Sequence, residues 1–383
     1  MKIKRSLQKL GLGFLVFLLS ACAVAESKKQ TISQLSLLFV GDIMQHDPQI
    51  QAAYDPKTQT YSYDDSLKYV KPIFEATDVV IGNLELTFGG KPYKGYPQFS
   101  APSELATGLK NAGVYYLVTA NNHSCDRGKK GIEGTLEALD KAKIVHTGTF
   151  KNQKQRDKQY PLIVEKNGIR LVVLNYTYGT NGLPIPEPNI VNLIDRDQIK
   201  KDLTLAKLKL PDKIIVFFHW GMEYQREPNQ EQKDLAQFCL DEGADWVIGS
   251  HPHVLQKMEK FNHKGKEVLV VNSLGNFVSN QRDRYRDGAA MVKVVLEKVG
   301  GLAKIKQSGY YLTWVYDPYE EGRHRFYILP AAQYEKDKEF FGGELPLKFV
   351  QSIKDARELF LKQNKDIREY IYNPEQVNWR LDK

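Results

Sequence analysis

Ile248-Gly-Ser-His-Pro-His-Val-Leu255 sets two histidines, His251 and His253, directly after the apolar run that ends at Ile248. In an extended chain residues i and i+2 point to the same side, so a strand that continues through Pro252 would aim both imidazoles at one point. Two imidazoles at a common point indicate a metal ion. The alternative is two exposed polar residues in a turn beside Pro252, and these eight residues alone do not decide between the two.

The chain on the amino-terminal side of these histidines alternates apolar, strand-like runs with helical stretches, a pattern typical of an α/β architecture. Most of the runs end in polar side chains that suit metal or substrate binding. Because the carboxyl ends of parallel strands share one sheet edge, we expect these side chains to converge there. They are Asp42, Asn83, Glu85, Asn122, His123, His219, His251 and His253.

The donor types in this set favour particular metals. Carboxylates, an amide oxygen and neutral imidazoles suit zinc, manganese or iron better than calcium, which prefers oxygen alone. The donors also outnumber those that a single catalytic ion with an open position would use. The sequence therefore predicts two divalent metal ions.

Local signals place several individual elements. Lys166-Asn167-Gly168 between two apolar runs predicts a β-hairpin. Helical spacing of apolar residues, with start and stop signals, predicts helices over residues 64–75, 102–112, 195–208, 230–241 and 348–370. The last of these is amphipathic, and we expect it to pack on the domain.

The first 22 residues have the character of an export signal. A basic start precedes the apolar run Gly11 to Leu19, which is short for a membrane-spanning helix. The following Leu19-Ser20-Ala21-Cys22 resembles a bacterial lipoprotein signal, in which the cysteine is lipidated; an ordinary signal peptide with an incidental cysteine is the alternative. We expect a lipoprotein that faces the periplasm or the cell exterior, with a tether over residues 23–33 and a single domain over 34–383.

The net charge gives little support to a nucleic-acid partner. Of the 54 basic residues, four lie in the leader (Lys2, Lys4, Arg5 and Lys9), which leaves 50 against 46 acidic residues. Such a mild excess is compatible with an anionic polymer but does not require one. Beyond the leader only Cys125 and Cys239 remain, too few for a disulfide framework, although an exported protein could pair them.

Six motifs in a fixed order carry a family resemblance. From about Leu37 to Phe277 the chain contains GDIM, GNLE, NNHSCDRG, HWGMEY, GSHPHVLQ and SLGNF. The set resembles the CapA family of poly-γ-glutamate capsule biosynthesis proteins, a branch of the calcineurin-like metallophosphoesterase superfamily. The resemblance implies an αββα fold, with two β-sheets flanked by helices and a dinuclear metal centre at one edge. It also implies partners in the form of an anionic polymer and other capsule-synthesis proteins.

The resemblance also implies roles for individual residues. Asp42 would be the first carboxylate ligand and Glu85 the bridging acid. Asn122, His219 and His251 would bind the second metal, and His253 would return to the first. His123, oriented by Asp126, would contact the substrate rather than a metal.

One position departs from the wider superfamily, which has a histidine where this chain has Met44. The first metal site is then one ligand short. His46 could replace the missing ligand if a helix starts there, because residues i and i+4 of a helix share a face. An exposed histidine is the alternative.

Two functions from different classes remain open at this point. One is a metal-dependent hydrolase that acts on a phosphoester or an amide-like bond of an extracellular polymer. In that mechanism two ions joined by Glu85 polarise the scissile group and activate a water molecule, while His123 stabilises charge or protonates the leaving group. The other is a non-catalytic envelope or polymer-binding factor that uses the metal site structurally.

Overall fold

Residues 32–382 are the part of the chain that the computed structural model describes, and they belong to one compact unit. The predicted leader over residues 1–22, with the predicted lipidation site Cys22, lies outside the described residues. Most of the predicted tether does as well, although the first strand already begins at Ile32, inside the range given to the tether.

The strands fall into two large sheets and three short pairs. In chain order they are β1 (Ile32–Ile43), β2 (Tyr54–Asp55), β3 (Thr60–Tyr61), β4 (Val79–Leu84), β5 (Tyr116–Val118), β6 (Val145–Thr147), β7 (Thr149–Phe150), β8 (Leu162–Lys166), β9 (Ile169–Thr177), β10 (Ile190–Val191), β11 (Lys213–His219), β12 (Trp246–Ser250), β13 (Met258–His263), β14 (Lys266–Val271), β15 (Gly288–Val299), β16 (Leu302–Tyr316), β17 (Tyr319–Glu320), β18 (Arg323–His324), β19 (Tyr327–Pro330), β20 (Arg368–Asn373) and β21 (Asn378–Leu381).

Along the described part of the chain, each helix lies between two strands. They are α1 (Asp47–Ala53), α2 (Asp64–Leu67), α3 (Lys71–Glu75), α4 (Glu104–Ala112), α5 (Gly128–Ala142), α6 (Gln153–Gln159), α7 (Arg196–Leu208), α8 (Gln230–Asp241), α9 (Ala331–Tyr334) and α10 (Leu347–Gln363).

The first sheet has the strand order β21-β20-β16-β15-β1-β4-β5-β6, with β19 paired to β16, and the second has the order β13-β14-β12-β11-β9-β8. Strands β1, β4, β5 and β6 run parallel to one another, as do β9, β11, β12 and β14. Each sheet thus contains a block of parallel strands whose carboxyl ends lie together, the arrangement that collects ligands in α/β proteins.

Alternation of apolar side chains along the central strands explains the layers. In β1, Leu37 and Phe39 belong to the core shared with the second sheet, whereas Leu38 and Val40 face the cluster that contains α3 and α4. Because successive side chains of a strand point to opposite faces, a continuous apolar run is buried on both sides. The same holds for the second sheet, whose outer face packs against α7 and α8. The expected αββα sandwich is therefore confirmed.

Most predicted elements are present, and two differ in extent. The hairpin at residues 166–168 joins β8 to β9, and α4, α7 and α8 lie within the predicted ranges. The helix predicted over residues 64–75 is instead two short helices, α2 and α3. Pro72 stands in the first turn of α3, where its missing N–H is harmless; inside one continuous helix it would remove a hydrogen bond.

The last predicted helix ends earlier than its pattern indicates. Helix α10 stops at Gln363, and Tyr370, predicted to be helical, lies in β20. The Tyr370 ring stacks on Tyr311 of β16 with centroids 4.5 Å apart. Tertiary packing here overrides the helical periodicity. Within the described residues, no helix is long and apolar enough to cross a membrane.

Candidate metal centre

Four of the predicted ligands lie at the carboxyl ends of parallel strands from both sheets. Asp42 is near the end of β1, Glu85 directly follows β4, and His219 ends β11. Asn122 lies in the loop after β5. All four side chains are buried. The predicted convergence of these side chains is therefore present, across two sheets rather than along one.

The two histidines of the opening motif reach the site by a different backbone path from the one predicted. Strand β12 ends at Ser250, and φ is 99° at His251 and 58° at His253, so the extended path through Pro252 is wrong. Both residues adopt left-handed conformations around a proline whose own φ is fixed, and Tyr224 N donates to Pro252 O at 2.8 Å to hold the turn.

Despite this turn, both rings approach one carboxylate. Glu85, His251 and His253 each offer a ligand atom, and these atoms all lie within 4.8 Å of one another. A second group that meets the same criterion consists of Asp42, Glu85 and His219. Glu85 is thus shared by both groups, as a bridging ligand would be. Which of the two predicted ions each histidine binds stays a prediction.

Close contacts link the members of these groups. Oε1 of Glu85 lies 3.5 Å from Nε2 of His219 and 3.7 Å from Nε2 of His253. Oδ2 of Asp42 lies 3.3 Å from Nδ1 of His253. Oδ1 of Asn122 is 2.9 Å from Nε2 of His219. These separations are short enough for pairs of side chains to bind the same ion.

The buried carboxylate of Glu85 provides the test of whether a cation fits. Within residues 32–382, neither of its oxygens has a hydrogen-bond partner, although both are buried. Burial, together with the negative charge of Asp42, raises the pKa of Glu85 well above its ordinary value. An unpaired buried carboxylate is costly, and bound cations remove that cost. The donor set therefore fits divalent metal ions.

Two histidines of the site, His219 and His251, are kept in the neutral form by burial. Burial, reinforced by His251 and His253, holds the pKa of His219 well below its ordinary value. Burial lowers the pKa of His251 to about 3, and the charge of His253 adds to this. Metal ions bind imidazole in its neutral form, so these nitrogens need not release a proton before they coordinate near neutral pH.

Asn83 and Asp42 are held together beneath the ligands. Nδ2 of Asn83 donates to Oδ1 of Asp42 at 2.8 Å and lies 3.2 Å from Nδ1 of His219. Burial alone would raise the pKa of Asp42, but the hydrogen bond and charge of His253, with the Asn83 amide, keep it below the ordinary value. Asp42 therefore stays ionised and available to a cation.

His123 and Asp126 form a buried pair beside the ligands. Nδ1 of His123 lies 2.7 Å from Oδ2 of Asp126, and the same oxygen accepts from the Phe99 backbone N–H at 2.7 Å. The Phe99 ring meets the His123 ring edge to face at 4.6 Å. The predicted contact between His123 and Asp126 is present, and their catalytic roles stay predictions.

His46 does not enter the site in the way considered from the sequence. It is the residue before the first turn of α1, with an extended backbone, so it does not share a helix face with Asp42. Among the described residues, neither ligand group includes His46. Its Nδ1 accepts from the Asn280 backbone N–H at 3.2 Å, and its ring packs on Phe99.

Cys125 and Cys239 are both buried and free, so they do not pair.

Tyr178 is a residue of the site that sequence reasoning missed. It directly follows β9, and its ring centroid lies 4.6 Å from that of His251. About half of this side chain is exposed, 47%, which places it at the rim of the site. Its position at the end of a parallel strand was the signal that could have identified it.

A family model and two relatives that are similar in sequence indicate the same family. The family model for the bacterial capsule synthesis protein PGA_cap matches residues 36–281. A capsule biosynthesis protein CapA from Bacillus anthracis is 31% identical over 291 residues, which cover 73% of this chain and 68% of the relative. The PGA biosynthesis protein CapA of Bacillus subtilis is 33% identical over 279 residues, covering 70% and 69%.

Among solved structures, the calcineurin-like phosphoesterase YfkN from Bacillus subtilis is 16% identical, with a TM-score of 0.43 over 74% of this chain and 91% of that one. The family match spans every strand end that contributes to the candidate metal centre. This chain belongs to the bacterial capsule synthesis protein family PGA_cap.

Proposed function

We propose that this protein is a hydrolase that depends on two divalent metal ions and acts on a phosphoester or an amide-like bond. The reaction would belong to the synthesis or processing of an anionic capsule polymer of the poly-γ-glutamate type. The observation that carries the proposal is Glu85, a buried carboxylate shared by two ligand groups, with no hydrogen-bond partner among the described residues. Metal ions at such a centre polarise the scissile group and lower the pKa of a bound water.

The chain's own residues divide the remaining tasks. Asp42, Glu85, Asn122, His219, His251 and His253 would hold the ions. Asp126 accepts from Nδ1 of His123, so Nε2 is the ring atom left to exchange a proton with the substrate or to stabilise its developing charge. Phe99 shields one side of this pair from water through its edge-to-face contact with His123.

We extend the proposal to cellular location and partners. The leader pattern before Cys22 supports export and lipid anchoring of the chain outside the cytoplasm. The names of the Bacillus relatives, which refer to capsule and PGA biosynthesis, support an anionic polymer and other capsule-synthesis proteins as partners.

Metal analysis combined with a substrate panel tests the hydrolase. Protein purified without chelator is assayed for bound metal and for hydrolysis of phosphoester and γ-glutamyl substrates. We expect chelator to abolish activity and manganese or zinc to restore it. His123→Ala should lose hydrolysis but keep the metals, while the control His324→Ala, at an exposed position outside the site, should behave as wild type. Full capsule function with His123→Ala in cells would instead support a binding factor.

A further inference from the structure

Asn276, in the loop after β14, contacts one of the ligand histidines without belonging to either ligand group. Its side chain is fully buried, and Oδ1 lies 3.0 Å from Nδ1 of His253. On the other side of the amide, Nδ2 donates to the Arg286 backbone carbonyl at 2.9 Å and to Oε1 of Gln281 at 3.1 Å. All the polar atoms of the Asn276 side chain are thus engaged.

The backbone carbonyl of Arg286 fixes the orientation of this amide. A carbonyl oxygen only accepts hydrogen bonds, so the Asn276 atom that faces it must be the NH₂ group. The atom that faces His253 is then the Asn276 carbonyl oxygen, which also only accepts. Nδ1 of His253 must therefore carry a hydrogen in order to make this contact.

A second acceptor near the same nitrogen strengthens the assignment. Oδ2 of Asp42 lies 3.3 Å from Nδ1 of His253, so the hydrogen on Nδ1 faces two oxygen atoms. In the neutral ring the lone pair then belongs to Nε2. Nε2 is the nitrogen that faces the shared carboxylate, at 3.7 Å from Oε1 of Glu85.

The loop that carries Asn276 is fixed to the strand that carries Asp42. The Asp42 backbone N–H donates to Gly275 O at 3.0 Å, and Val278 N donates back to Asp42 O at 3.1 Å. The Met44 backbone N–H adds a bond to Val278 O at 2.9 Å. Hydrogen bonds on both sides of Asn276 thus hold its amide in place relative to His253.

We propose that Asn276 is a positioning residue that holds His253 in the tautomer with hydrogen on Nδ1, so that Nε2 is presented for metal binding. The inference rests on the proposed function, since it assigns His253 to a metal. Outer partners of this kind fix ring orientation, and their loss typically weakens metal affinity by about 10–100-fold.

Two substitutions distinguish the role of the Asn276 side-chain oxygen from the role of its NH₂ group. Asn276→Leu removes both, whereas Asn276→Asp keeps an oxygen acceptor for His253 and loses the donor to Arg286 O. Gln281→Ala is the control, because it removes one partner of Nδ2 and leaves the His253 contact untouched. Each metal-free full-length protein is titrated calorimetrically with zinc or manganese.

We expect one of the bound metals to weaken by about 10–100-fold in Asn276→Leu. Asn276→Asp and Gln281→Ala should bind both metals about as tightly as wild type. Normal binding by Asn276→Leu would overturn the inference alone. So would equal weakening in Asn276→Asp and Asn276→Leu, since Asn276 would then only fix the loop. Wild-type protein that takes up no metal would overturn the proposed function, and this inference with it.

A measurement on the wild type covers the case in which Asn276→Leu does not fold. Ring-nitrogen NMR shifts of His253, recorded on the metal-free protein at a pH where the ring is neutral, should show the hydrogen on Nδ1 rather than on Nε2. The reverse pattern would overturn the inference.

Discussion

At the scale of single residues, burial opposes the charged form of three side chains in the candidate metal centre. Glu85 has raised proton affinity because burial and Asp42 oppose its ionisation, while His219 and His251 resist protonation for the same reason of burial. Sequence reasoning could select these residues, because donor types at strand ends are visible in the chain. It could not find the left-handed turns at His251 and His253, because a non-glycine residue with positive φ has no reliable signal in one sequence.

His46 provides a pH test away from the ligands. Burial lowers its pKa to about 4 from an ordinary 6.5. The unfolded chain binds the proton first, so the stabilising contribution is complete above pH 6.5 and is lost as pH falls towards 4. When the pH is lowered from about 6.5 to about 5, the unfolding free energy of metal-free His46→Asn should fall by roughly 1.5 kcal/mol less than that of the wild type.

Urea unfolding at several pH values measures this difference. His324→Asn is the matched control, because His324 is exposed and should leave the pH dependence unchanged. Identical pH profiles for His46→Asn and wild type would show that His46 is solvated in solution.

At the scale of elements, the site depends on how closely the end of β1 approaches the loop after β14. A Cβ atom on Gly41 would lie 2.0 Å from Gly275 O, so only glycine permits this contact. The apolar runs of β1, β4, β11 and β12 were sufficient to predict strands, and the hairpin turn was readable from Asn167-Gly168. The end of α10 was not, because the stacking of Tyr370 on Tyr311 joins segments far apart in sequence.

Gly41→Ala tests the close contact between Gly41 and the Gly275 carbonyl oxygen. The added methyl group must push the loop away, which should cost about 1–3 kcal/mol of unfolding free energy, as overpacking does. Because Asp42 is the next residue, metal affinity should fall as well. Gly179→Ala is the control, since a Cβ there meets nothing within 4 Å. Equal stability and metal affinity of the two variants would contradict the close contact.

At the scale of the whole molecule, bound metal ions should stabilise the folded state by linking the two sheets. Asp42, Glu85 and Asn122 come from the first sheet and its loops, and His219 and His251 from the second. A ligand that binds only the folded state at about a hundred times its Kd stabilises that state by about 2.7 kcal/mol.

Thermal unfolding with and without manganese measures this coupling. The wild-type Tm should rise with metal and fall back with chelator, because the unfolded chain has no preformed site. Glu85→Gln should lose the rise, whereas Glu137→Gln, an exposed substitution on α5, should keep it. A metal-dependent rise in Glu85→Gln equal to that of wild type would exclude Glu85 as a shared ligand.

The position of β1 in the first sheet also sets an order of events during protein synthesis. This strand lies between β4, which follows it closely in the chain, and β15, whose residues 288–299 leave the ribosome much later. Until β15 is synthesised, that edge of β1 is unpaired, although all the candidate ligand residues and Asn276 precede β15 in the chain. Pairing across such a separation is slow and leaves the partly made chain prone to association. The first sheet therefore cannot be completed around β1 until residue 299 of the 383-residue chain has been synthesised.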